Sequence, residues 1–125
     1  MSKTIAILHI GVPMDHPSIP PDMRPKVEHG LQTIKREMNR AGLDYQLIYY
    51  SPETGLDGFV KQLREQPCDG VVVGGGVTSV PQMTFFMEQI VDVTHLNAPK
   101  AKIMFIHGPE LDEVRQAVRR WFGSR

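Results

Sequence analysis

An apolar run from Gly70 to Val73 passes directly into Gly74, Gly75, Gly76, Val77, Thr78 and Ser79, and Pro81 opens the helical pattern that follows. Glycine permits close backbone approach and positive φ, successive N–H groups can form an anion-binding nest, and a helix start adds partial positive charge. The amides of Gly75, Gly76 and Val77, with the Thr78 and Ser79 hydroxyls, are therefore the expected holders of an oxyanion. This is not a dinucleotide fingerprint, because Gly74-x-Gly76 lacks the third glycine and follows the third strand-like run rather than the first; nor does it carry a P-loop lysine. No Lys or Arg occurs from Gln66 through Pro99, so the segment brings no cation for a polyphosphate. A small monoanion, a carboxylate or a neutral polar molecule is the expected ligand class. The same glycines also suit a tight turn at a crowded sheet centre, and both readings stay open at this point.

The second candidate lies after the first apolar run, in Gly11, Val12, Pro13, Met14, Asp15, His16, Pro17, Ser18, Ile19, Pro20, Pro21 and Asp22. With Pro25, this stretch holds half of the chain's ten prolines. Proline lowers the entropy cost of one loop shape, and long loops of this kind bind ligands or cover a sheet end. His16 has a side chain type that titrates near neutrality, so Asp15 and His16 are the expected polar orienter or proton carrier, with Gly11 at the pocket wall. His107 is a further acid–base candidate. For each histidine, a bond to backbone is the competing role. His9 and His107 sit on strands two spacings apart, about 9 to 10 Å, which is too far for a shared zinc from the strands alone. No metal and no cofactor is expected. Cys68 precedes the third strand, at the opposite end of the sheet from these loops, and has no evident activating base.

Four short apolar runs must position these residues: Thr4 to Ile10, Tyr45 to Tyr50, Gly70 to Val73 and Lys102 to Ile106. They alternate with four helical patterns, the signature of a parallel sheet with crossover helices. The first and third runs are nearly continuous in β-branched or aliphatic residues and belong at the centre; the second and fourth suit edges. Val27, Leu31, Ile34, Met38 and Ala41 form the stripe of the first helix, between Asp22 or Pro25 and Gly42. Leu56, Phe59, Val60 and Leu63 mark the second, with Thr54 and Asp57 at capping-box spacing. The third runs from about Pro81 to Leu96, where Phe85, Val93 and Leu96 widen the stripe of Met83, Phe86, Met87 and Ile90. The fourth spans Pro109 to Phe122, with acids at its start and Arg119 and Arg120 at its end. Right-handed crossovers give the order 2-1-3-4, with the first and fourth helices on one face and the second and third on the other. The expected fold is a flavodoxin-like three-layer α/β sandwich, a single domain over residues 1–125. Its ligand crevice falls at the carboxyl ends of strands one and three. Flavodoxins use a hydroxyl-rich loop after strand one for FMN phosphate, and the proline-rich loop here argues against that. The phosphorylatable aspartate of a response regulator is likewise missing from Val71 to Gly76.

The composition, 41% hydrophobic and 22% charged, is that of a globular chain. Fourteen basic residues balance fourteen acidic ones. That balance removes the broad positive field on which non-specific nucleic-acid or membrane binding depends. The single cysteine and the short apolar run from Ile5 to Ile10 fit a reducing, cytoplasmic setting without a signal peptide or membrane span. The wide third helix and the open edge of the fourth strand predict a homo-oligomer. The competing function is accordingly a non-catalytic assembly module.

Three stretches, Cys68 to Val77, Met87 to His95 and Asn97 to Ile103, together with Pro20-Pro21-Asp22-Met23, resemble a family of short, uncharacterised α/β proteins of bacteria and fungi. The resemblance implies the fold, a glycine turn after strand three and a histidine near His95. That family has an Asn-Thr pair where this chain has Ile106 and His107, which separates His107 from any shared group. No activity follows from the resemblance. The sequence therefore supports a small-molecule site, with cofactor-free isomerase or hydrolase chemistry open and no reacting pair assigned.

Overall fold

The computed structural model describes residues 4–123. Four parallel strands, β1 (Ala6–Gly11), β2 (Asp44–Tyr49), β3 (Gly70–Val73) and β4 (Lys102–Phe105), form one sheet in the order 2-1-3-4. The expected order is thus observed, with strand boundaries shifted by one or two residues. Val71, Val72 and Val73 have no exposed surface, which is why β3 needs aliphatic residues on both faces.

Helices cover both faces. α1 (Arg24–Arg40) and α5 (Leu111–Phe122) enclose Ile7, Tyr45, Val72, Met104 and Ile106, using Ile34, Met38, Val114 and Val118. On the other face α2 (Asp57–Glu65) and α4 (Thr84–Asn97) pack Phe59, Leu63, Phe86 and Ile90 against Leu8, Ile10, Val71 and Val73. Between β3 and α4 lies an additional single turn, α3 (Gly75–Thr78). No described helix is long and apolar enough to cross a membrane.

Three local expectations change. Thr54 does not cap α2. It exchanges hydrogen bonds with Ser51 instead, Ser51 N–H donating to Thr54 Oγ1 at 2.9 Å and Thr54 N–H to Ser51 Oγ at 3.2 Å, and so closes the turn after β2. The third helical pattern divides into a 3-10 turn, Pro81–Met83, and α4, which begins at Thr84. Val93 packs into the core, whereas Phe85 and Leu96 remain 69% and 68% exposed. The apolar arc of α4 is therefore narrower than the sequence implies, and its two exposed knobs stand three turns apart with Gln89 and Asp92 between them.

Candidate functional site

The carboxyl ends of β1, β3 and β4 meet the proline-rich loop and the start of α1 around a cavity of about 290 Å³. Met14 and Ile19 from the loop, Met23, Val27 and Leu31 around the start of α1, and Leu47 and Tyr49 from β2 supply most of its apolar wall. Gly11, Gly74, Gly75, Gly76 and Ser79 also line it, so those expected site residues do converge. Asp15, His16, Val77 and Thr78 are not in the wall. No Lys, Arg, Asp or Glu is in the wall either, and its two imidazoles are His9 at the floor and His107 at the rim.

His9 was not among the expected site residues. Parallel register sets it beside Leu47 and sets Tyr45 beside Ile7, so His9 and Tyr45 are diagonal neighbours on one face of the sheet. Their rings meet edge-on at 78°, and His9 Nδ1 lies 2.7 Å from the Tyr45 hydroxyl. The Asn39 side chain holds Tyr45 from α1, bonding its backbone N–H and C=O at 3.1 Å each. Burial lowers the His9 pKa from 6.5 to about 4, so the imidazole is neutral at pH 7. Burial also pushes the Tyr45 phenol above its ordinary value, and it too is neutral. Nε2 is buried and has no hydrogen-bond partner among the described residues. A Cβ at residue 74 would stand 3.1 Å from Nε2, so any side chain there would crowd the imidazole edge. The sequence signal was a lone imidazole inside the apolar run from Ile5 to Ile10. A histidine buried in a strand must be neutral, and each of its nitrogens needs a partner.

The glycine run folds differently from a positive-φ nest. Among the described residues positive φ occurs only at Gly42, Gly55 and Gly123. Close approach instead explains Gly75, where a Cβ would lie 2.4 Å from His107 O. Val77 N–H and Thr78 N–H both donate to Gly74 O, at 3.0 and 3.1 Å. The Thr78 hydroxyl donates to Ile106 O and the Ser79 hydroxyl to His107 O at 2.8 Å. These expected oxyanion groups are thus engaged within the fold: Val77 N–H closes α3 on Gly74 O, and the Thr78 and Ser79 hydroxyls fasten α3 to the end of β4.

Asp15 is exposed, and its carbonyl oxygen accepts from the Arg24 guanidinium at 3.2 Å. His16 clips the loop. Its Nδ1 accepts from Ser18 N–H at 3.1 Å, which leaves Nε2 as the N–H that meets Glu53 Oε1 at 2.8 Å. That bond from His16 is the leading cause holding the Glu53 carboxyl below its ordinary value. His16→Ala is expected to speed amide exchange at Ser18 and Ile19, measured by hydrogen–deuterium exchange, while exchange in β1 and β3 stays unchanged. At the rim, His107 Nδ1 meets Glu113 Oε2 at 2.9 Å, and Glu113 Oε1 accepts from the N–H groups of His107 and Gly108. Burial alone would raise the Glu113 carboxyl, but these bonds together bring it below its usual range. The chain matches no protein-family model, no curated protein and no solved structure.

Proposed function

We propose that the protein binds a small, largely apolar molecule through one polar group, in the cavity beneath the proline-rich loop. The observation that carries this reading is His9 Nε2, a buried polar atom in the cavity wall with no partner among the described residues. Leaving such a group unpaired costs about 1–3 kcal/mol, which a ligand able to pair with it offsets. The surrounding aliphatic and thioether side chains favour an apolar body. The lack of Lys and Arg in that wall moves the expected anionic or polar ligand towards a neutral one. A volume of about 290 Å³ is close to the lower bound, roughly 300 Å³, of ordinary small-molecule sites. The location also suits a ligand, since crevices at the carboxyl ends of strands where the order reverses are the usual sites of such sheets.

Gly11 provides the test. It lines the cavity, and a Cβ there would meet nothing within 4 Å, so a larger side chain starts from open space at the cavity wall. Acetophenone titrated into methyl-labelled protein is expected to shift the Met14 and Met23 methyl signals and leave Met87, on the opposite face, unmoved. Gly11→Leu should weaken that binding by about tenfold or more with little change in stability. Equal binding by Gly11→Leu, or shifts confined to Met87, contradicts the reading.

A homo-oligomeric module is the second reading, favoured by the exposure of Phe85 and Leu96 on one side of α4. Sedimentation equilibrium at tens of micromolar separates the two outcomes. A dimer weakened by Phe85→Glu supports the module, and a monomer throughout opposes it.

A further inference from the structure

We propose that the ligand is a neutral carbonyl compound whose oxygen accepts a hydrogen bond from His9 Nε2–H, with Tyr45 fixing the tautomer that makes Nε2 a donor. The inference rests on the cavity being the ligand site and names the chemistry it selects.

The tautomer follows from counting hydrogens. Among the described residues, the Tyr45 hydroxyl bonds only to His9 Nδ1. If the phenol donates to Nδ1, its hydrogen is used, and the proton of the neutral ring sits on Nε2. If Nδ1–H donated instead, two buried groups would be left unmade, the phenolic hydrogen and the bare Nε2 lone pair. One unpaired group is less costly than two, so Nε2 carries the hydrogen. Burial keeps the ring neutral at pH 7, and the donor is therefore a dipole rather than a cation.

The wall then decides among acceptors. A carboxylate brought against Nε2–H would lose its hydration to a wall without a Lys or Arg, where its charge meets no cation. A hydroxyl would bring a hydrogen of its own, which needs a second acceptor. Ile10 O, which lies 3.2 Å from the position of a Cβ at residue 74 as Nε2 lies 3.1 Å from it, already takes Gly74 N–H at 2.9 Å and would have to accept a second bond. A carbonyl oxygen only accepts, and so matches a donor such as Nε2–H. Gly74 keeps a Cβ from occupying the space 3.1 Å from Nε2 in which such an oxygen would sit.

Acetophenone, ethylbenzene and benzoate share a ring and differ in this one group: a neutral acceptor, no acceptor, and an anion. With the full chain at pH 7, nitrogen-15 spectra of the histidine rings are expected to show His9 protonated at Nε2 and bare at Nδ1. Acetophenone should move the Nε2 signal and bind about tenfold tighter than either analogue, and Tyr45→Phe should erase that preference. Ethylbenzene binding as tightly, benzoate binding tighter, or a bare Nε2 overturns the proposal. Acetophenone that shifts the Met14 and Met23 methyl signals without moving Nε2 also overturns it, while leaving the cavity as the ligand site. If none of the three compounds moves those methyl signals, both readings fall. The wild-type spectra decide these outcomes even if Tyr45→Phe folds poorly.

Discussion

Gly75→Ala is expected to destabilise the fold by about 3 kcal/mol, the upper part of the range for overpacking. The added Cβ would lie 2.4 Å from His107 O, 2.6 Å from His107 C and 2.9 Å from Gly108 N, all backbone atoms. That backbone cannot retreat freely, because the Thr78 and Ser79 hydroxyls hold Ile106 O and His107 O from the same turn. Alanine's helix propensity works in the opposite direction but is worth only about 1 kcal/mol over glycine, and less in a turn of this length. Two controls isolate the cause. At Gly70 the nearest clash is the Met104 terminal methyl at 2.6 Å, the flexible end of a side chain, so Gly70→Ala should cost less. Gly11→Ala meets nothing and should be close to neutral. Urea denaturation midpoints order the three variants, and a Gly75→Ala protein as stable as wild type would contradict the packing described for α3.

The second large effect is acid sensitivity. His9 has a folded pKa of about 4 against 6.5 for an unperturbed histidine. Between these values the unfolded chain takes up a proton that the folded chain refuses, so stability rises with pH across that window. The penalty is absent above about pH 6.5, grows as the pH falls, and levels off once folded His9 is itself protonated near pH 4. Integrated from pH 7 to pH 4 it amounts to about 3 kcal/mol. Glu53 and Glu113, whose carboxyls lie below their ordinary value of 4.5, contribute in the same direction at lower pH, so the upper half of the window tests His9. Replacing both partners, His9→Leu with Tyr45→Phe, removes the titration without leaving a polar orphan. The stability of that double variant should be nearly flat from pH 7 to pH 4.5, where wild type declines. Parallel curves for the two proteins would show that His9 titrates normally.

Both effects bear on how far the residues alone disclose the molecule. The sheet order follows from them because Gly70 to Val73 is apolar throughout and Ile5 to Ile10 is so except at His9, and right-handed crossovers leave few ways to join them. The glycine run was ambiguous because one residue type serves two physical needs, positive φ and close approach, and only the position of His107 relative to Gly75 separates them. His9 was hidden for a related reason. Its partner Tyr45 is 36 residues away and is reached through strand register, which a one-residue shift would send to the other face. His16, prominent in a loop, is instead engaged by Ser18 and Glu53, contacts that depend on how the loop folds back over the end of β2. The location of the crevice could thus be read from the pattern of runs, and the buried imidazole at its floor could not.

The most direct measurement is a crystal structure of the protein with 4-iodoacetophenone, whose iodine fixes the ring's position by anomalous scattering. The ring is expected against Met14 and Met23, with the carbonyl oxygen about 2.7–3.2 Å from His9 Nε2. A ring seated elsewhere, or a carbonyl turned to solvent with Nε2 untouched, would contradict it.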